Sequence, residues 1–160
     1  MYNSDALIDM HERAQRNLVT ALAHCRDLSS EELNSDVPGF GYSSVRLQLH
    51  HVIGAGKYWF GVLEGRIDAE DDAPEYPSVE SLETYCQQVS TVAETYLRAA
   101  SQDELNAARP MVTWGNQEQT LTPARVVLRT ITHIYHHLGQ IAAMCRLLGK
   151  PSKGWDFPIK

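Results

Sequence analysis

Apolar residues recur at spacings of three and four along four separate stretches of the chain, the mark of helices with one buried face. Leu7, Met10, Ala14, Leu18, Ala21 and Cys25 line the first, which the spacing predicts over residues 5–28 with Ser4 or Asp5 as its cap. The run "NSDVPGFGYSS" breaks this pattern with Pro38, Gly39 and Gly41. Val45, Leu49, Val52, Trp59 and Leu63 stripe a second helix over residues 43–64, with Gly65 at its end. Ser78 and Ser81 offer caps for a third, which runs to residue 100 with Leu82, Tyr85, Val89, Val92, Tyr96 and Leu97 as its apolar positions. The last starts at Thr122, a candidate N-cap followed by Pro123 in the first turn, and continues to residue 148, where Gly149 and Pro151 close it.

Between the third and last helices, residues 101–120 are the least regular part of the chain. "MVTWGNQEQTLT" alternates around Gly115 and Asn116, which predicts a short hairpin. Helices of roughly 22 to 28 residues span about 33 to 42 Å, and each has a stripe to bury. The expected architecture is all-α: a four-helix bundle with a long irregular connection before its last helix. Its connectivity stays open, because the acidic stretch "GRIDAEDDAPEYP" is long enough for a turn or a crossover and reads as a solvated surface loop.

The chain's 160 residues suit one domain over 1–160, and an apolar content of 43% is enough to build its core. A net charge of −6 without a Lys/Arg cluster argues against binding nucleic acid. Cys25, Cys86 and Cys145 lie far apart and form no CxxC, so neither a disulfide framework nor a cysteine-rich zinc site is expected, and a cytoplasmic setting fits. No stretch reads as a secretory signal or a transmembrane helix.

The seven histidines change the picture. Five of them fall in "LHHV" and "HIYHH", each near the middle of its helix. With the last stripe centred on Ile134, Leu138, Ile141 and Cys145, His137 lies about 60° and His133 about 100° to one side, while His136 lies about 160° away, toward solvent. On the second helix His51 flanks the stripe by about 100° and His50 points nearly opposite. His51, His133 and His137 can therefore converge, with His133 and His137 stacked one turn apart. Neutral imidazole suits Zn²⁺, Ni²⁺, Fe²⁺ or Cu²⁺. Three protein ligands leave a position for water or substrate, as catalytic sites do. The competing reading is a half-buried, hydrogen-bonded histidine pair in a non-catalytic binding or dimerisation module. No glutamate follows His133 and no ExxH occurs, which sets aside zincin proteases and di-iron carboxylate centres.

Of the neighbouring residues, Gln140 could orient a ligand or bound water or equally make a simple interhelical hydrogen bond, Gly139 would permit close helix approach, and Cys145 reads as a small core residue. Tyr58 and Trp59 read as core and rim, and Asp156 as a cap or salt-bridge residue.

These residues carry a resemblance. "HVIGAGKYWFGVLEG", "TWGNQEQTLTPARVVLRTITHIYHHLGQI" and "LLGKPS" resemble the DinB/YfiT-like superfamily of four-helix-bundle metalloproteins over most of the chain. That family's early histidine with a later aromatic pair maps to His51 with Tyr58 and Trp59. Its late HxxxHxGQ maps to His133, His137, Gly139 and Gln140. Leu138 departs from the basic or polar residue of many relatives. The resemblance implies a divalent metal, zinc or nickel before iron or manganese, and a homodimer. It implies a small-molecule substrate, in some relatives a low-molecular-weight thiol, and so a hydrolase or thiol transferase. It names no catalytic residue.

Overall fold

A computed structural model describes residues 1–67 and 72–159, and these are mostly helical. Four long helices, α1 (Ser4–Cys25), α3 (Val45–Leu63), α4 (Val79–Ala99) and α6 (Pro123–Leu147), are joined by two one-turn helices, α2 (Ser30–Asn34) and α5 (Gln102–Asn106). A hairpin of β1 (Arg109–Thr113) and β2 (Gln117–Leu121) precedes α6. The long helices pack in a ring: α1 touches α4 and α6, and α3 touches the same two from across it. The successive helices α3 and α4 are therefore neighbours. The acidic stretch between them falls partly outside the described residues. No described helix is long and apolar enough to cross a membrane.

The predicted ends hold to within a few residues, with particular corrections. Asn3 caps α1, its side chain accepting from the Ala6 amide, so neither Ser4 nor Asp5 is the cap. Ser78 and Ser81 cap the start of α4 reciprocally. Thr122 stands at the N-cap of α6, but its hydroxyl makes no capping bond. The short helices α2 and α5 have too few residues for a period to show, yet Ser29 and Ser101 cap them.

The stripe assigned to the second helix was too narrow. In α3 the buried residues go round the helix, from Val45, Leu49 and Val52 to Gln48, His50, Phe60 and Val62. The reason is its surroundings: α3 is flanked by α2, α4, α6 and β1. His50, expected to point away, is buried instead among the rings of Tyr76 and Tyr85, at 5.6 and 5.7 Å between centroids. Val92, placed on the buried side of α4, is exposed, and Ala93 takes the core position.

Gly139 makes no close approach, since a Cβ there would meet nothing within 4 Å. The tight crossing is at Gly56, whose added Cβ would lie 3.2 Å from Val89 Cγ1, between α3 and α4. The C-terminal tail is tied down by Asn17, whose amide donates to the Asp156 carbonyl at 2.7 Å. Asp156 thus contributes its backbone there and neither caps nor pairs through its carboxylate among the described residues.

The hairpin determines one wall of the site. Its turn, Trp114–Asn116, needs left-handed backbone at Gly115 (φ 66°) and Asn116 (φ 56°), which glycine and asparagine adopt at least cost. Arg109 ties the hairpin to α3, donating to the Leu63 carbonyl at 2.7 Å. Trp114 is thereby laid parallel to Tyr58 (5.2 Å between centroids, 2° between planes) and edge-on to Trp59 at 4.8 Å.

Candidate metal centre

Three of the seven histidines meet between α3 and α6. His51 Nε2 and His133 Nε2 are 3.3 Å apart, and one ring nitrogen from each of His51, His133 and His137 lies within 4.8 Å of the others. The ring centroids stand 4.4 to 5.2 Å apart with planes near perpendicular. The periodicity placed these three together, and the structure does the same. It leaves His136 exposed and His50 in the α4 interface.

The elements make this arrangement natural. Leu138, Ile141 and Cys145 bury the inner face of α6, and fully burying a side chain of leucine or isoleucine size is worth about 1.5–3 kcal/mol. That anchors the helix's rotation, and His137 and His133 are carried to the edge of the buried face.

Residues beyond the cluster orient it. His137 Nδ1 is 2.6 Å from Gln48 Oε1, and the Gln48 amide nitrogen donates to the Tyr42 carbonyl at 3.0 Å. A carbonyl can only accept, so Gln48 must present oxygen to His137. His137 then carries its proton on Nδ1, which leaves Nε2 for the cluster. Gln48 is wholly buried. Tyr42 also stacks on the His51 ring, with centroids 4.0 Å apart and planes 19° from parallel. Gln140 turns its amide nitrogen to His136 Nε2 at 3.3 Å, so the direct hydrogen bond to the His137 Nδ1 side comes from Gln48. Gln48 was not singled out in the sequence, although it sits one turn before His51 and so on a neighbouring position of the helix face. Tyr42 lies in a loop and had no periodicity to betray it.

Electrostatics favour an uncharged imidazole at His137. His137 is held down to about 3, first by burial and then by the like charges that His133, His51 and His136 would carry, with contact to Gln140 working the other way. Three imidazole nitrogens gathered within 4.8 Å of one another make a suitable donor set for a divalent cation. Nitrogens at about 2.0–2.1 Å from a tetrahedral zinc stand about 3.3–3.4 Å from one another, and the His51–His133 separation already matches that edge.

His51 and His133 also line a cavity of ≈ 330 Å³, whose other walls include Tyr58, Trp59, Trp114 and Arg129. Tyr58 and Trp59, read as core and rim, are both buried and form one side of it. A search among curated proteins returns no match. The family comparison matches DinB over residues 1–160, and the chain belongs to the DinB family.

Proposed function

We propose that this chain is a four-helix-bundle metalloprotein in which His51, His133 and His137 hold one divalent cation, zinc or nickel before iron or manganese. The cavity beside them takes a small-molecule substrate for metal-assisted hydrolysis or for transfer of a low-molecular-weight thiol. The observation that carries this reading is the meeting of three imidazoles from two helices, one pair already at tetrahedral spacing. When bound, such an ion lowers the pKa of a water or thiol placed against it and polarises a carbonyl.

The chain's own residues do the rest. Gln48 holds the His137 proton on Nδ1 and turns the other nitrogen inward. Tyr42 braces the His51 ring from one face. The aromatic wall of the cavity limits the water around a bound molecule. No carboxylate lines this cavity among the described residues, so no acidic side chain stands ready as a general base. This favours thiol transfer, where the attacking atom is acidic enough to lose its proton without one.

Elemental analysis of the purified chain tests the assignment. We expect one divalent ion per chain, lost in His51→Ala and in His133→Ala. Stoichiometric metal retained in both variants overturns it. A metal-free chain whose stability ignores both metal and chelator supports the non-catalytic module instead.

A further inference from the structure

Arg129 lies one turn before His133 on α6, on the wall of the cavity that the histidines share. Its guanidinium carbon sits 5.3 Å from the Trp59 ring centroid and 5.8 Å from that of Trp114. These contacts hold a solvent-exposed arginine in place through the ring faces, which attract a cation without using its N–H groups. Among the described residues no carboxylate pairs with Arg129 and no acceptor takes a hydrogen bond from it. Arg16, Arg125 and Arg146 are also exposed without such a partner, so what sets Arg129 apart is the pair of rings that hold it, while two further exposed arginines are paired. Arg26 and Arg98 each bond a glutamate at 2.6 Å, on Glu83 and Glu12. A guanidinium that is positioned but unspent, at the mouth of an aromatic cavity, is arranged for an anion from outside.

We propose that this cavity binds the carboxylate end of a small organic acid with an apolar or planar body, and that Arg129 is its anchor. Arg129 is the one formally charged side chain lining the cavity, so it is the group that meets an anionic end lying away from a histidine-held ion. The two fork N–H groups of a guanidinium match the two oxygens of a carboxylate in geometry. Tyr58, Trp59 and Trp114 supply the surface for the body, and ≈ 330 Å³ limits the ligand to the small end of the usual range for such pockets. The net charge of −6 makes the chain as a whole unattractive to anions, so the preference must be local. The inference rests on the metalloprotein reading only in taking this as the substrate cavity, where the other end of the same molecule would lie against His51 and His133.

Titration of the metal-loaded chain with 3-phenylpropanoate and with its neutral amide, followed by tryptophan fluorescence, tests the anchor. We expect the acid to bind about ten- to a hundredfold tighter than the amide. Arg129→Gln should erase the preference and Arg129→Lys should keep part of it, with the melting temperature of Arg129→Gln close to the parent's. Equal binding of acid and amide by the parent, no saturable binding of either, or a preference that survives Arg129→Gln overturns the proposal. The last outcome would also show that the histidine centre, rather than Arg129, selects the anion. Metal content measured on the same samples keeps the two readings apart. A metal-free chain that still loses its preference with Arg129→Gln retains the anchor and gives up the metal. A metal-bearing chain whose preference ignores Arg129 does the reverse.

Discussion

Gln48 shows how much one side chain can decide. It is a buried carboxamide with both ends used, one on the Tyr42 carbonyl and one on His137. A buried amide with no partners would be costly, so the two bonds hold each other in place. Replacing it with leucine would leave the His137 Nδ1–H without an acceptor and free the ring to turn or change tautomer. We expect Gln48→Leu to weaken metal affinity about ten- to a hundredfold while the chain still folds, read by competition with a chromophoric chelator. Unchanged affinity would mean that His137 needs no orienting partner. At this scale the sequence was informative about which histidines meet. Which neighbour orients each ring was not legible, because Gln48 looks like any polar residue until α6 is brought against α3.

Among the elements, the helices announced themselves and their caps less so. Ser78 and Ser81 satisfy the first amides of α4 as a reciprocal pair, and the serines could be read directly from the spacing. Ser78→Ala should cost about 1 kcal/mol of stability in urea denaturation, with the metal content unchanged. A loss well under half of that would mean that solvent caps α4 as effectively. The hairpin is the more consequential element. Alternation around Gly115 and Asn116 predicted its turn, but nothing local says that its tip lies on Tyr58 and Trp59. Arg109 and the docking of β1 on α3 accomplish that, over a separation of 46 residues. The helix-two stripe failed for a related reason. Periodicity finds a single buried face, and a helix covered on several sides has none to find.

Across the whole molecule, the core also buries polar groups, and these set its response to acid. His11 is almost wholly buried, edge-on to Phe60 at 5.5 Å, and burial holds it down to about 4. In the unfolded chain it takes up a proton near pH 6.5. Between those values the unfolded state binds more protons, so this contribution to stability is complete above pH 6.5, falls as the pH drops toward 4, and levels off below. His137 adds a loss of the same sign that continues to about pH 3 when no metal is present. Comparing urea denaturation at pH 7 and pH 4, His11→Leu should remove roughly 3 kcal/mol of the dependence. A variant as acid-sensitive as its parent would place that sensitivity on other groups.

The sequence by itself determined the helical class, the approximate limits of four long helices, the hairpin turn and the three histidines that share a side. All of these follow from period, cap chemistry and backbone preference, which act over a few residues. Tertiary structure alone decided that His50 is buried between tyrosines, that Gln48 and Tyr42 hold the imidazoles, and that Trp114 and Arg129 complete a cavity beside them. Each of these depends on which surfaces meet after the chain has packed, and the pairs involved are far apart along it. Burial and hydrogen bonding between such pairs leave no repeating trace in the order of the residues.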